Sequence, residues 1–164
     1  MDSEYCNSYN MCWGTLGTVR PFSNFHPDRD VMAIKAALEN KDTVTLVRIL
    51  TNRSNAQRQV IAEAFKASKQ KDIVTALKKA VSGDLVLLLV ELLIPSVEYE
   101  AYRFQEAMAK ELVQRIMVSH SEEDLLCIRA AFIKLTGNSL YTALQKHFKG
   151  DYLQALLAIC RSED

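Results

Sequence analysis

Apolar residues recur at helical spacing along most of the chain. In "SNAQRQVIAEAFKAS" (54–68), Ile61, Ala64 and Phe65 fall at i, i+3 and i+4, the stripe of a helix with one face on a core. In "SEEDLLCIRAAFIKL" (121–135), Ile128, Ala131 and Phe132 do the same. Ser54 and Gln57 form a capping box at the first start, and Ser121 with Asp124 a shorter version at the second. Ile73, Ala76, Leu77, Ala80 and Val81 make one more stripe, with Gly83 as its expected left-handed stop. Asp84 and Asp151 are expected to cap the helices that follow. "DRDVMAIKAAL" and "EAYRFQEAM" predict earlier helices, and β-branched residues keep helical rather than alternating spacing. The longest apolar run, Val86 to Ile94, is interrupted by Glu91 and stopped by Pro95. It is far short of the roughly 20 residues that span a bilayer, so a buried core helix is expected there.

The pattern repeats. Sliding the chain on itself by 67 residues brings Arg48-Ile49 onto Arg115-Ile116, Ala64-Phe65 onto Ala131-Phe132, and Thr75-Ala76-Leu77 onto Thr142-Ala143-Leu144. Gly83-Asp84 falls on Gly150-Asp151 in the same register, with no gap between Arg48 and Leu93. The expected fold is all-α: two repeats of about five short helices each, over residues 17–95 and 96–164. Residues 1–16 form a polar tail with no amphipathic period, expected to be disordered.

Composition narrows the functions. Lys+Arg and Asp+Glu are each 20 among 164 residues, and this balance argues against a nucleic-acid binder. The four cysteines include no CxxC pair or zinc spacing; Cys127 and Cys160 are expected to be buried thiols, and Cys6 and Cys12 free thiols of the tail. His26, His120 and His147 lack an evident nucleophile or metal partner, and the five glycines are scattered, so no enzyme is expected. Glu122, Glu123 and Asp124 fall where a helix opens, a place that favours negative charge. Met1 to Asn10 has no apolar signal core, so a cytosolic, reducing location and an unused Asn52 glycosylation sequon are expected.

Five stretches, "GTVRPFSNFHPDRD", "ILTNRSNAQRQVIAEAF", "ALKKAVSGDL", "RIMVSHSEEDLLCIRAAF" and "SLYTALQKHFKGDYLQALLAIC", resemble the annexin family from about Gly17 onward. The first copy resembles the first annexin repeat and the second copy the last, with the middle two absent. The resemblance implies calcium-dependent binding to acidic phospholipid. Each calcium site in the family combines a Gly-x-Gly-Thr loop after the first helix with an acidic side chain near the end of the fourth. Here the loop positions read Leu38-Glu39-Asn40-Lys41-Asp42 and Met108-Ala109-Lys110-Glu111, and the acidic positions read Ala80 and His147. Calcium takes six to eight oxygens, so any remaining site is weak and rests on Asp42, Asp84 or Asp151.

Three functions follow as expectations. The first is the family's calcium-dependent association with an acidic phospholipid surface, peripheral and cytoplasmic. The second is calcium-independent binding of the same surface through Lys41, Lys78, Lys79, Lys146 and Lys149, with His147 charged in mild acid, around loops carrying Ser82, Gly83 and Gly150. Against it stands the plain reading: a helix stop and start, with lysines complementing helix dipoles. The third is a protein-interaction module or homodimer, since two repeats taken from four would uncover apolar surface.

Overall fold

The structure is a computed structural model that describes residues 18–69, 71–106, 108–122 and 124–161. The tail expectation, Cys6 and Cys12 lie outside them. The described residues form ten helices and no strand: α1 Pro27–Asn40, α2 Thr43–Leu50, α3 Asn55–Lys69, α4 Ile73–Ala80, α5 Gly83–Leu92, α6 Ser96–Glu106, α7 Lys110–Ser119, α8 Leu125–Thr136, α9 Leu140–His147 and α10 Gly150–Cys160. The chain divides into two compact units, the first ending at Leu93 and the second beginning at Ile94. Among the described residues no helix is long and apolar enough to cross a membrane.

In the first unit α1 packs on α2, α3 and α4, and α5 on α2 and α4. Its core holds Val31, Ile34, Leu46, Leu50, Leu89 and, from the predicted stripes, Ile61, Phe65, Ile73 and Leu77. Pro27 opens α1 at a position where its missing N–H costs nothing. In the second unit α6 lies along α8, and α10 on α7 and α9. Ala101, Phe104, Ile116, Ile128, Phe132, Leu144 and Leu156 fill that core, with the Phe104 and Phe132 rings edge to face at 6.2 Å.

Four expectations need correction. Helix α5 is buried along one line only, through Leu89 and on to Leu93, while Leu87 and Leu88 are 60% and 58% exposed. A ten-residue helix that packs on one side cannot bury every member of an apolar run. Cys127 is exposed, although Cys160 is buried. Gly83 has the left-handed φ of 71°, but α4 has already ended at Ala80; two extended residues, Val81 and Ser82, come between. Asp84 and Asp151 are not caps: the cap positions belong to Ser82 and Lys149, and both aspartates lie inside the first turn. There they still complement the positive helix terminus.

The Ser54–Gln57 box forms as expected. The Gln57 N–H donates to Ser54 Oγ at 3.2 Å, and the Ser54 N–H donates to Gln57 Oε1 at 3.0 Å. Its shorter counterpart does not: the Ser121 hydroxyl donates to the Val118 carbonyl, Asp124 makes no capping bond, and α8 starts only at Leu125. Glu122 and Asp124 therefore precede the helix rather than open it.

Candidate functional site

The two Gly-Asp turns are built alike. In the first unit Val81 and Ser82 are extended, Gly83 is left-handed, and Asp84 enters α5. In the second, Phe148 and Lys149 are extended, Gly150 has φ 69°, and Asp151 enters α10. A left-handed φ costs any other L-residue about 1 kcal/mol or more, which explains glycine at both places. Each turn follows a helix whose last residues are basic: Lys78 and Lys79 in α4, Lys146 and His147 in α9. Lys78, Lys79, Ser82, Gly83, Asp84, Lys146, His147, Lys149, Gly150 and Asp151 are all exposed.

The opening turns are tighter than the sequence suggests. Leu38, Glu39 and Asn40 are helical, and only Lys41 and Asp42 link α1 to α2. Lys41 takes a left-handed φ of 54° and closes α1 by donating its N–H to Leu38. Asp42 caps α2: Oδ1 accepts the Thr45 N–H at 3.1 Å and Oδ2 the Thr45 hydroxyl at 2.7 Å. These bonds hold its carboxyl below the usual aspartate range. In the second unit Lys110 and Glu111 already belong to α7. The Lys110 ammonium stands 5.1 Å from the centre of the Tyr152 ring, two residues beyond Gly150, and the Phe148 and Tyr152 rings meet at 5.4 Å, tilted by 59°. The opening turn and the Gly-Asp turn of this unit therefore meet, and a lysine stands between them. Sequence reading missed Lys110, whose only signal was its place in the shortened loop.

These donors fit calcium poorly. Each Asp42 oxygen already accepts one hydrogen bond from Thr45, and Asp84 and Asp151 stand singly in the first turns of their helices. Among the described residues no three His, Cys, Asp or Glu side chains gather where they could hold a metal ion.

Behind the surface, each unit carries a polar bridge that sequence reading also missed. Asp30 accepts from Arg53 Nε at 2.7 Å and from Nη2 at 2.8 Å, and both side chains are buried. The same guanidinium lies 3.8 Å above the Phe22 ring, while Gln57 holds the Phe22 backbone by a bond in each direction. Arg58, also buried, donates to the carbonyls of Leu92 at 2.6 Å, Arg53 at 2.6 Å and Leu50 at 3.2 Å. The Leu50 and Leu92 carbonyls end α2 and α5, where no intrahelical donor remains, and Arg53 lies in the link before α3.

The residue 67 positions after Arg53 is His120. Its Nδ1 bonds Asp124 at 2.5 Å and its Nε2 bonds Glu100 at 2.9 Å. Glu100 precedes the buried Ala101 as Asp30 precedes the buried Val31, so the two bridges correspond. They span 20 and 23 residues, and the opening helix of the second copy is shorter too, 11 residues in α6 against 14 in α1.

Burial works against the imidazolium, but the hydrogen bonds and charges of Asp124 and Glu100 outweigh it and raise the His120 pKa above the ordinary 6.5. A raised folded pKa adds stability that is complete below 6.5 and is lost as pH rises through the folded value. His120→Gln should therefore cost more stability at acidic than at alkaline pH, with urea unfolding as the measure; an equal cost at both ends would contradict the bridge. The Asp124 side chain is half-exposed, so solvent screens that side more than the Glu100 side.

Comparisons with known proteins agree with this architecture. The annexin family profile matches the chain twice, over residues 29–92 and 99–159. Annexin A6 of Mus musculus is 32% identical over 151 residues, covering 87% of this chain and 22% of that protein. Among solved structures, annexin III superposes with a TM-score of 0.81 at 28% identity, over 90% of this chain and 49% of that one. Chicken annexin V superposes with a TM-score of 0.82 at 28% identity, over 88% and 48%. The chain thus spans about a fifth of the annexin A6 sequence and about half of those solved annexins. With two profile matches, ten helices in two units and the same Gly-Asp turn in each, the chain belongs to the annexin family.

Proposed function

We propose that this protein binds acidic phospholipid surfaces peripherally, on the cytoplasmic side, and that lysines rather than calcium supply most of the attraction. The carrying observation is the lysine-flanked Gly-Asp turn present in each unit. Lys78 and Lys79 flank the first; Lys146, Lys149 and Lys110 surround the second. Each basic residue near an anionic leaflet contributes about 1 kcal/mol. Lys41 adds another in the first unit, beside Val44, which at 75% is its most exposed large apolar side chain. Family membership supports the phospholipid target, and the want of gathered acidic side chains among the described residues supports independence from calcium.

Replacing Lys78, Lys79, Lys146 and Lys149 together by Gln removes about 4 kcal/mol of attraction, roughly a thousandfold in partitioning. Vesicle co-sedimentation should then fall to background. Unchanged sedimentation would refute the role of these loops.

A second reading, self-association, is favoured by one observation. Leu87 and Leu88 are adjacent and exposed on α5, whereas the second repeat carries Gln154 and Ala155 at these places. If these leucines pair two copies, wild type sediments as a dimer and Leu87→Gln with Leu88→Ala sediments as a monomer. A monomeric wild type at every concentration would eliminate the pairing.

A further inference from the structure

A cavity of about 320 Å³ opens in the first unit, lined by Lys35, Leu38, Glu39, Phe65, Lys71 and Ala76. It lies among α1, α3 and α4, away from the Gly83 turn. Its size falls at the small end of ligand pockets, roughly 300–1,000 Å³. The floor is apolar: Phe65 is buried, and Leu38 and Ala76 are half-buried. The rim carries two ammonium groups and one carboxylate. Among the described residues no ion pair involves Lys35 or Lys71.

We propose that this cavity binds a single-chain anionic amphiphile. The acyl chain lies on Phe65, Leu38 and Ala76, and the head group sits between Lys35 and Lys71. Two cations and one carboxylate leave one net positive charge, which a singly charged head neutralises. A neutral chain gains only the apolar contact, and a cationic head meets repulsion. Carboxylate and phosphate heads share this chemistry, since both satisfy the same two lysines.

The second repeat provides an internal contrast. The corresponding floor is kept as Met108, Phe132 and Ala143, but Gln105 and Asn138 stand where Lys35 and Lys71 would. The apolar floor thus belongs to the repeat, whereas the cationic rim belongs to the first unit alone.

Amide NMR titration of the full chain with dodecanoate and dodecyl phosphate, below their micellar concentrations, tests the site. Saturable shifts should appear in α1, α3 and α4, and be far smaller with dodecanol or dodecyltrimethylammonium. Lys35→Gln with Lys71→Asn, which imports the second repeat's rim, should weaken binding about tenfold. Lys71 is exposed and Lys35 half-buried at the rim, and neither belongs to the core, so the fold is retained. Ala76→Leu should block entry by filling the floor. Tighter binding of dodecyl phosphate assigns a lysophospholipid-type head, and tighter binding of dodecanoate a fatty acid. Absence of saturable shifts, equal binding of the cationic amphiphile, or unchanged affinity in the double variant would overturn the proposal.

Discussion

Arg58→Met should destabilise the first unit by about 4 kcal/mol. The guanidinium gathers three backbone carbonyls, those of Leu50 and Leu92 at helix ends and that of Arg53 in the link before α3. Met keeps the volume and the apolar stem but returns none of the bonds. A buried acceptor left unsatisfied costs about 1–3 kcal/mol, so three of them outweigh the relief of releasing a desolvated charge. That release is real, because burial lowers the Arg58 pKa from its ordinary value. Domains are commonly stable by only about 5–15 kcal/mol, so the loss is a large share. Arg58→Lys should recover only part, since an ammonium cannot reach three divergent carbonyls in one plane. Urea unfolding followed by the amide signals of α2 and α5 would measure this. A loss below about 1 kcal/mol would mean that water replaces the guanidinium.

Asp30→Asn should cost about 3 kcal/mol, because it leaves the Arg53 charge buried and uncompensated. Asn still accepts one of the two guanidinium bonds, which keeps the loss at the lower end of the range for broken buried pairs. Arg53 would also be drawn from the Phe22 ring, loosening the segment that Gln57 fastens to α3. Removing both charges, as Asp30→Leu with Arg53→Met, should recover much of the loss, because desolvation of the pair then disappears together with its attraction. A double variant weaker than Asp30→Asn alone would show instead that the Arg53 contacts to Phe22 and to the Asn52 carbonyl dominate.

The helices were legible because their cores are periodic. Ile61 and Phe65, and Ile128 and Phe132, lie buried where their spacing puts them. The Ser54–Gln57 box was legible because both partners are local, and the left-handed glycines because few other residues tolerate that conformation. What escaped depends on partners distant in sequence. Ser121 and Asp124 look like a box, yet His120 takes the Asp124 carboxylate and Glu100 holds the other side of the ring. The exposure of Leu87, Leu88 and Cys127 depends on which helix face finds a neighbour, and an apolar run contains no such information. Asp30 left one trace: a carboxylate on the stripe of Val31, Ile34 and Ala37, which calls for a buried cation. The candidate site was legible in part. Its lysines and glycines stand out in sequence, but the meeting of Lys110 with Tyr152 and the use of Asp42 as a cap appear only in three dimensions.

The central claim is that charge on the lysine-flanked turns replaces calcium at a membrane. Calcium requires six to eight oxygens, and among the described residues no three acidic side chains gather to supply them. Lysine attraction needs no metal but is screened: the Debye length falls from roughly 10 Å at 0.1 M salt to roughly 3 Å at 1 M. The most direct measurement is co-sedimentation with phosphatidylserine vesicles, in millimolar calcium and in chelator, at low and high salt. The account predicts equal binding with calcium and with chelator, lost at high salt. Binding that appears only with calcium would contradict it.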